Sequence, residues 1–478
     1  MMFVLFMACG TEFVAPPAPP PDLVVEAPVA PLLPPPPPPK NWPDPPYNIV
    51  IITADTLRGD VLPMNGNDEL YTPHLQRLAD QGVNFTRAYT PITTTLPAHA
   101  SLLSSLYPSD HRAYSNVSAI SSRIQTLPEE LRLHGYRTAA HINMPWLNPE
   151  VSNVPQGIQD IRRGDRVRKA DKTLPWVLDY VEGRKDKEDP FFLWIHFVDN
   201  HTPYHAPAAY DSLYFEGEKG SPGQTSMEEI WDLFPGDHRR SEYFLSWVDG
   251  VESADYITGT YKGSLTWLDQ HIGLLMNALE ESDQWDNTLF VFTADHGESL
   301  GEHDLWFVHG GLYETTTHIP LILRVPGGPE GVSIDRLVSL VDVAPTVLAQ
   351  NGFDIPQAMR GQDLLDPELP TSGGAALLEH TGRQLEGVVT ERYKLIVHLK
   401  DTRIYAGYPM NKGAVELYDL QEDPGELRNI AEQNPERVAQ LQGMIPALKQ
   451  GNLEEYEALS GEINEEISEQ LQALGYFE

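Results

Sequence analysis

Three long apolar runs without alternating polar residues predict strands that are buried on both faces. The runs cover residues 47–53, 191–198 and 289–294. Continuous rather than alternating apolarity is typical of a parallel sheet that is covered by helices on both sides. Acidic or histidine residues follow closely after each run. Because the carboxyl ends of parallel strands share one edge, where ligands bind, these polar side chains are expected to converge there.

Helical patterns between the apolar runs predict an α/β fold with a doubly wound, mostly parallel sheet. Residues 73–82 place Leu75, Leu78 and Ala79 on one helical face. Residues 260–281 repeat apolar side chains at helical spacing over a longer stretch. Strands that alternate with helices in this way are typical of doubly wound sheets.

The rest of the folded chain is predicted to contain an insertion and a second, smaller unit. Residues 205–250 carry scattered aromatic and acidic residues without a period, which is typical of an insertion or lid that borders a site. Later strand-like segments predict a small antiparallel sheet, followed by acidic helices; the segments are residues 385–390, 393–398 and 416–420. We therefore expect a catalytic domain over residues 47–365 and a C-terminal subdomain over residues 366–478.

The N-terminal part of the chain predicts an anchor and a spacer. Residues 1–9 form a short apolar run that ends in small residues at Cys9, and this run resembles the end of a bacterial lipoprotein signal. Residues 10–46 are rich in proline, with six consecutive prolines from Pro34 to Pro39, and predict a stiff linker. The pattern predicts a lipoprotein of the cell envelope, periplasmic or anchored in the outer membrane, that touches the membrane only through its lipid. The alternatives are a plain apolar tail and a proline-rich ligand for a partner protein.

The charge balance is strongly acidic and argues against a nucleic acid partner. Lys and Arg number 33 against 69 Asp and Glu, which gives a net charge of −36. Such a surface would repel a phosphate backbone. An anionic substrate would need a local positive charge, for which a metal ion is the expected source. The single cysteine excludes a disulfide framework and cysteine-rich zinc sites.

A threonine-rich segment, residues 93–101, places a hydroxyl group where the chain enters a helix. Pro97 is favoured at a first helical position, and the residues after it suit a helix. The free N–H groups at this helix start would face the hydroxyl of Thr95 and a bound anion. Thr95 is therefore a candidate nucleophile. The alternative is that Thr94 or Thr95 only caps the helix.

An oxygen-rich set of potential metal ligands with one imidazole consists of Asp55, Thr95, Asp295 and His296. A divalent cation held by this set would lower the pKa of the threonine hydroxyl and neutralise charge on a substrate oxyanion. The carboxylates and the hydroxyl suit calcium, magnesium or manganese, and the imidazole admits manganese or zinc. Taken singly, Asp55 and Asp295 also fit helix caps, and His296 fits a hydrogen-bonded histidine at a turn.

Short motifs extend this pattern in order from residue 47 to the end of the chain. They are residues 54–60, the segment around Thr95, and residues 201–204, 295–298, 312–314, 319–322, 342–346, 417–420 and 423–426. In these motifs the chain resembles the sulfatase family of the alkaline phosphatase superfamily. The resemblance implies an alkaline phosphatase-like fold. It also implies one divalent metal ion, bound by Asp55, Asp295 and His296 together with Thr95.

The same resemblance assigns roles to further histidines. It implies that His201 contacts the substrate or protonates the leaving group, which suits an imidazole near neutral pH. It places His309 near where family members carry a basic residue that holds the anion, and His303 is a second candidate for that role. Four other histidines are expected to be structural: His99, His111, His196 and His205.

Three departures from the family pattern point away from the usual sulfatase reaction. Sulfatases carry Cys or Ser in a Cys/Ser-x-Pro-x-Arg pattern and oxidise it to formylglycine, whereas this chain has Thr95 and, in place of the arginine, His99. Oxidation of threonine would give a ketone rather than an aldehyde. The Gly-Lys-Trp-His-type anion-binding segment after residues 135–138 is missing, and Thr56 replaces the usual second aspartate.

A metal-bound threonine beside an Asp-His pair instead resembles the phosphoryl-transferring branch of the superfamily, such as lipoteichoic acid synthases. There a threonine attacks phosphorus and passes the group to water or an alcohol. We therefore predict a metal-dependent hydrolase or transferase for a phosphate or sulfate ester, with a phosphate ester or diester favoured. The substrate would be a small molecule, a glycan or a lipid headgroup. The alternatives are hydrolysis of sulfuric esters without formylglycine and a non-catalytic surface binding protein with a degenerate site.

Overall fold

The computed structural model describes residues 46–163, 169–204, 206–234, 239, 242–369, 374–403, 409–450 and 456–461. The predicted lipoprotein signal and the proline-rich linker up to residue 45 lie outside these ranges. Within them, none of the helices combines the length and the apolarity that a membrane crossing requires.

A large, mostly parallel sheet forms the centre of the fold. Its strands are β1 (Asn48–Ala54), β2 (Val83–Tyr89), β3 (Arg137–Ile142), β4 (Asp160–Arg163), β5 (Phe191–Phe197), β6 (Thr288–Ala294), β7 (His318–Ile319), β8 (Leu321–Arg324) and β9 (Val332–Ser339). They lie in the order β7-β2-β8-β6-β1-β5-β3-β4, with β9 beside β2. Strands β7 and β8 run antiparallel to their neighbours, and the other pairs are parallel. The predicted fold class is confirmed.

The three strands predicted from continuous apolarity lie side by side in the order β6-β1-β5. Every residue of β5 and β6 is buried, as expected for strands covered on both faces. Because all three strands run in the same direction, their carboxyl ends meet at one edge. Asp55 follows β1, Asp295 follows β6, and His201 follows β5 within a short turn. The fold thus brings these side chains to one place.

Helices connect the strands and cover the sheet. The longer ones are α1 (Pro73–Asp80), α2 (Thr95–Ser104), α3 (Leu127–Leu133), α4 (Ala170–Arg184), α5 (Ala254–Glu281), α6 (Val343–Gln350) and α7 (Pro435–Lys449). Helix α1 begins at Pro73 and buries Leu75, Leu78 and Ala79, as predicted. Helix α5 begins at Ala254, earlier than its apolar pattern indicated, because the Ser253 side chain accepts the Asp255 N–H at 3.1 Å and caps it.

Helix α2 begins at Thr95, so the prediction that Pro97 takes the first helical position is wrong. Pro97 is the third residue of the helix. It is tolerated there because the first four N–H groups of a helix have no partner within the helix. Thr94 holds the N-cap position but makes no capping hydrogen bond, and its hydroxyl contacts that of Thr381 instead.

The insertion packs against the turns that carry two of the predicted site histidines. Its described residues contain short helices and no strand: Ala208–Asp211, Met227–Ile230 and Glu242–Val248. Trp247 lies 5.4 Å from Tyr204 and 5.9 Å from Phe307, measured between ring centroids. Tyr204 lies three residues after His201, and Phe307 two residues before His309. The insertion therefore borders the site, as predicted.

A small antiparallel sheet follows the large one. Its strands, in spatial order, are β10 (Ala375–Glu379), β11 (Leu385–Thr390), β12 (Tyr393–His398) and β13 (Val415–Asp419). Helix α7 buries Leu441 and Ile445 in an apolar cluster that it shares with this sheet. The sequence pattern predicted β11, β12 and β13 but not β10. The reason is that the alanines and leucines of β10 favour helix over strand.

A buried lysine joins the small sheet to the rest of the fold. Lys394 on β12 is fully buried, and its Nζ lies 2.6 Å from Glu314 Oε1 and 3.1 Å from Glu426 Oε1. It also donates to the hydroxyl of Thr317 at 3.1 Å. These contacts give a structural reason for the motifs at residues 312–314 and 423–426.

Candidate metal centre and active site

Two carboxylates face each other at the carboxyl edge of the central strands. Asp55 and Asp295 are both fully buried. Neither oxygen of Asp55, nor Oδ2 of Asp295, has a hydrogen-bond partner among the described residues. Buried carboxylate oxygens without partners are unfavourable unless a cation compensates them. The possibility that these residues only cap helices does not fit this geometry.

His296 completes the group with a nitrogen that faces the carboxylates. Its Nδ1 donates to the carbonyl oxygen of Gly297 at 3.0 Å, which leaves Nε2 as the lone-pair nitrogen. This Nε2 lies 3.8 Å from Asp55 Oδ1 and 3.5 Å from Asp295 Oδ2. Asp55, Asp295 and His296 therefore present unpartnered ligand atoms to one point, and they fit a divalent cation.

Backbone hydrogen bonds from Thr56 and His296 fix the orientation of the Asp295 carboxylate. The Thr56 N–H donates to Asp295 Oδ1 at 3.2 Å, and the His296 N–H donates to the same oxygen at 2.8 Å. One oxygen of Asp295 is thus held by the backbone, and the other is left for a ligand. Outer contacts of this kind orient metal ligands. The residue that replaces the family's second aspartate acts here through its backbone.

The pKa values of the two carboxyl groups in the cluster are those expected where buried acids lack a neighbouring positive charge. Burial raises the pKa of Asp55 to about 7 and raises that of Asp295 well above its usual range. Desolvation disfavours the charged form of a carboxyl group, so a protein without a cation here would hold protons instead. A divalent cation would displace those protons and restore both carboxylates.

Thr95 lies at the first turn of α2, and its hydroxyl is uncommitted. The residue is buried, and its Oγ1 has no hydrogen-bond partner among the described residues. His99 connects this turn to the cluster, because its Nδ1 lies 2.7 Å from the Thr95 carbonyl oxygen and 3.9 Å from Asp295 Oδ2. A buried hydroxyl that caps nothing is consistent with a chemical role rather than a structural one.

His309 and His201 lie on the side of the cluster that the insertion borders. The His309 ring is 4.5 Å from that of His296 and 5.9 Å from that of His201, between centroids. Burial lowers the pKa of His309, but Glu298, at 3.7 Å, and the cluster carboxylates outweigh it and raise the pKa. His309 is thus suited to be the cation that holds an anion. Its side chain is 24% exposed, so a ligand has access to it.

His201 has a defined tautomer. Its Nδ1 lies 2.8 Å from the Thr202 carbonyl oxygen, which only accepts, so Nδ1 carries the hydrogen. Burial lowers the pKa of His201 to about 3, so that the ring is neutral. In that state Nε2 is an acceptor, which suits contact with the hydroxyl of an alcohol or of water.

The structure does not bring His303 into this group. Its ring stacks on that of Tyr313 with centroids 3.7 Å apart. The Tyr313 hydroxyl in turn donates to Glu416 on β13 at 2.9 Å. His303 therefore faces the small sheet, and His309 is the one of the two candidates that lies beside the cluster.

The histidines expected to be structural divide into two kinds. His111 accepts the Ala113 N–H at Nδ1 and contacts the Ser101 hydroxyl at Nε2, each at 3.1 Å. His99 also uses both nitrogens, bonding the Thr95 carbonyl and, at 3.0 Å, the Thr53 hydroxyl. His196 is fully buried, yet neither of its nitrogens makes a hydrogen bond to any residue that the structure describes. His205 lies outside the described residues.

Two neighbours of the site are not evident from the sequence. Lys169 donates to the carbonyl oxygens of Val198 at 2.9 Å and Pro203 at 3.2 Å, and so supports the turn that carries His201. Asn116 accepts the Leu96 N–H at 2.9 Å through its side-chain oxygen and so satisfies the start of α2. Both act across long sequence separations and belong to no local pattern.

The doubly wound sheet thus carries candidate cation ligands at its carboxyl edge and a buried hydroxyl at the start of a helix. The Sulfatase family model matches residues 47–353. The chain belongs to the sulfatase family, which is a family of ester hydrolases.

Known proteins agree with this assignment over most of the chain. An arylsulfatase of Clostridium perfringens is 26% identical, with 86% of this chain and 95% of the relative aligned. A phosphonate monoester hydrolase of Agrobacterium radiobacter has the same fold, with a TM-score of 0.66 at 20% identity over 84% of this chain and 95% of that one. A protein solved with its substrate D-glucosamine-2-N,6-O-disulfate superimposes with a TM-score of 0.64 at 20% identity, over 84% and 97% of the two chains.

Proposed function

We propose that this chain hydrolyses or transfers a phosphate ester or diester, with Thr95 as the nucleophile and a divalent cation at Asp55, Asp295 and His296. The observation that carries the proposal is the buried Thr95 hydroxyl, which has no hydrogen-bond partner among the described residues. Thr95 starts a helix whose first turn is linked to the unpartnered carboxylate of Asp295 through His99. A hydroxyl without partners in a buried acidic site is costly unless a ligand or a reaction uses it.

Each residue of the site has a distinct role in the proposed reaction. The Thr95 oxygen attacks phosphorus, the bond to the leaving oxygen breaks, and the hydroxyl proton departs with the alcohol by way of His201. Water then displaces the phosphoryl group from Thr95 and restores the hydroxyl. Protonated His309 holds the non-bridging oxygens. The cation, when bound, lowers the pKa of the threonine hydroxyl and neutralises charge on the ester.

The residue types favour phosphorus over sulfur as the atom attacked. Threonine cannot form the aldehyde that the formylglycine reaction requires, so the usual sulfatase route is closed to this chain. A phosphonate monoester hydrolase with the same fold supports the choice of a phosphorus ester. The second candidate, hydrolysis of sulfuric esters without formylglycine, is supported by the arylsulfatase relative.

Four chromogenic esters with the same nitrophenol leaving group test the proposal: 4-nitrophenyl phosphate, bis(4-nitrophenyl) phosphate, 4-nitrophenyl phenylphosphonate and 4-nitrophenyl sulfate. We expect kcat/KM for the preferred phosphorus ester to exceed that for the sulfate by roughly 100-fold or more, because Thr95 attacks without an aldehyde. The Thr95→Ala protein sets the background. A preference for the sulfate would favour the second candidate, and no turnover of any ester would favour a binding protein.

We propose that the enzyme acts in the cell envelope, as a lipoprotein attached through Cys9. Support comes only from the apolar run before Cys9 and the proline-rich stretch after it. Cell fractionation with wild type and Cys9→Ser tests this. The wild-type protein is expected in the membrane fraction and the variant in the soluble fraction. Equal distribution of the two proteins would contradict the anchor.

A further inference from the structure

We propose that His196 supplies a second imidazole to the same cation. The protein would then supply two carboxylates and two imidazoles to the cation. The inference rests on the proposed function only in that a cation occupies the cluster. It concerns which atoms hold the cation and which ion they select.

The His196 side chain is in an unusual state for a buried histidine. His196 lies on β5, which pairs with β1 just before Asp55. The residue is fully buried, and within the part of the chain that the structure describes neither ring nitrogen has a hydrogen-bond partner. Buried polar groups nearly always have partners, as His99 and His111 do at both nitrogens. An imidazole in this state requires an explanation, and a metal ion bound at Nε2, the nitrogen that faces Asp55, supplies one for that atom.

The distances from the two histidine nitrogens to the carboxylate oxygens are those expected between ligands of one metal ion. His196 Nε2 lies 3.5 Å from Asp55 Oδ2, and His296 Nε2 lies 3.5 Å from Asp295 Oδ2. Ligands at ~2.0–2.2 Å from a tetrahedral metal are separated from each other by ~3.3–3.6 Å. The measured separations match this spacing. His196 Nε2 and His296 Nε2 thus each lie at this spacing from one carboxylate of the cluster.

Two other interpretations of these contacts are weaker. A hydrogen bond from His196 to Asp55 would be 3.5 Å long, which exceeds the normal range. His99 also lies close to His196 and Asp295 in a group that resembles a metal site. Its nitrogens are already used by the Thr95 carbonyl and the Thr53 hydroxyl, so it is not a ligand.

A second imidazole changes which ion the site selects. Calcium and magnesium prefer oxygen ligands, and each imidazole shifts preference towards zinc, manganese and other transition metals. The site as constituted by Asp55, Asp295, His196 and His296 is therefore expected to bind zinc in preference to calcium. With His296 alone, calcium would compete more effectively.

The test measures metal binding rather than turnover. Full-length protein is stripped with a chelator, and the dissociation constants for Zn²⁺ and Ca²⁺ are measured for wild type, His196→Asn and His141→Asn. His141 is the matched control because it is a buried histidine on β3, beside β5, with its ring 5.7 Å from Trp176. We expect His196→Asn to lose at least tenfold of the zinc-over-calcium preference, with a change of less than about threefold in the calcium constant. The control is expected to keep the preference.

X-ray absorption spectroscopy of the zinc-loaded wild-type protein gives a measurement that needs no variant. Two imidazoles around zinc support the proposal, and one imidazole overturns it. An unchanged zinc-over-calcium preference in folded His196→Asn also overturns it. These results are independent of the proposed reaction. One imidazole in a protein that hydrolyses phosphate esters refutes only the second ligand, whereas two imidazoles in a protein without turnover refute only the reaction.

Discussion

Replacing Thr95 with alanine is expected to reduce kcat for the preferred ester by roughly 10³- to 10⁶-fold, because the nucleophile is removed. The fold should be unaffected, since the Thr95 hydroxyl makes no hydrogen bond to the described residues that the variant would lose. Alanine is also a better helix former than threonine in general. The measurement is steady-state hydrolysis of 4-nitrophenyl phosphorus esters, together with the thermal midpoint of each protein.

Two further variants separate the chemical role of Thr95 from a structural one. Thr95→Ser keeps a hydroxyl and should retain activity well above that of Thr95→Ala. Thr94→Val removes the neighbouring hydroxyl, which contacts Thr381, and should mainly lower stability. In wild type, acid quenching during turnover should leave one phosphoryl group on the peptide that contains Thr95. Activity of Thr95→Ala above a tenth of wild type would refute the nucleophile.

The central strands of this fold can be predicted from the sequence because burial on both faces of a strand requires a continuous apolar run. Strands β1, β5 and β6 are apolar at nearly every position, and that composition suits a strand covered by helices on both sides. Parallel neighbours then force the residues after them to one edge. The meeting of Asp55 with Asp295 follows from this rule alone.

Features that depend on distant parts of the chain could not be read in this way. The local sequence around Thr94 is typical of a helix cap. Its hydroxyl instead contacts that of Thr381, which lies between β10 and β11 of the small sheet. Strand β10 has a helical composition and becomes a strand only by pairing with β11. His99 and His196 are both buried histidines near the site, and only three-dimensional contacts show that one is satisfied and the other is not.

Replacing Lys394 with methionine is expected to destabilise the protein by about 3–5 kcal/mol, because it leaves buried carboxylates without their counter-charge. Lys394 is fully buried and holds both Glu314 and Glu426. Methionine keeps much of the side-chain volume, so the charge rather than a cavity is tested. The measurement is the urea midpoint of unfolding, with Lys262→Met as the control. Lys262 is 23% exposed and pairs with Glu69, which is 65% exposed, so its loss should have an effect of less than about 1 kcal/mol.

The pH dependence of this destabilisation distinguishes lost charge from lost packing. Burial raises the pKa of Glu426 to about 7 even though Lys394 opposes it. A carboxyl group with a higher pKa in the folded than in the unfolded state binds more protons when the protein is folded. The free energy of unfolding of the protein therefore increases as the pH falls. Without Lys394 this pKa rises further, and the variant should recover part of its deficit from about pH 8 to about pH 6. Adding Glu426→Gln to Lys394→Met should recover stability at about pH 8 in the same way, because an unpaired charge is removed. A deficit that is the same at both pH values, and that the second substitution leaves unchanged, would assign the role of Lys394 to packing.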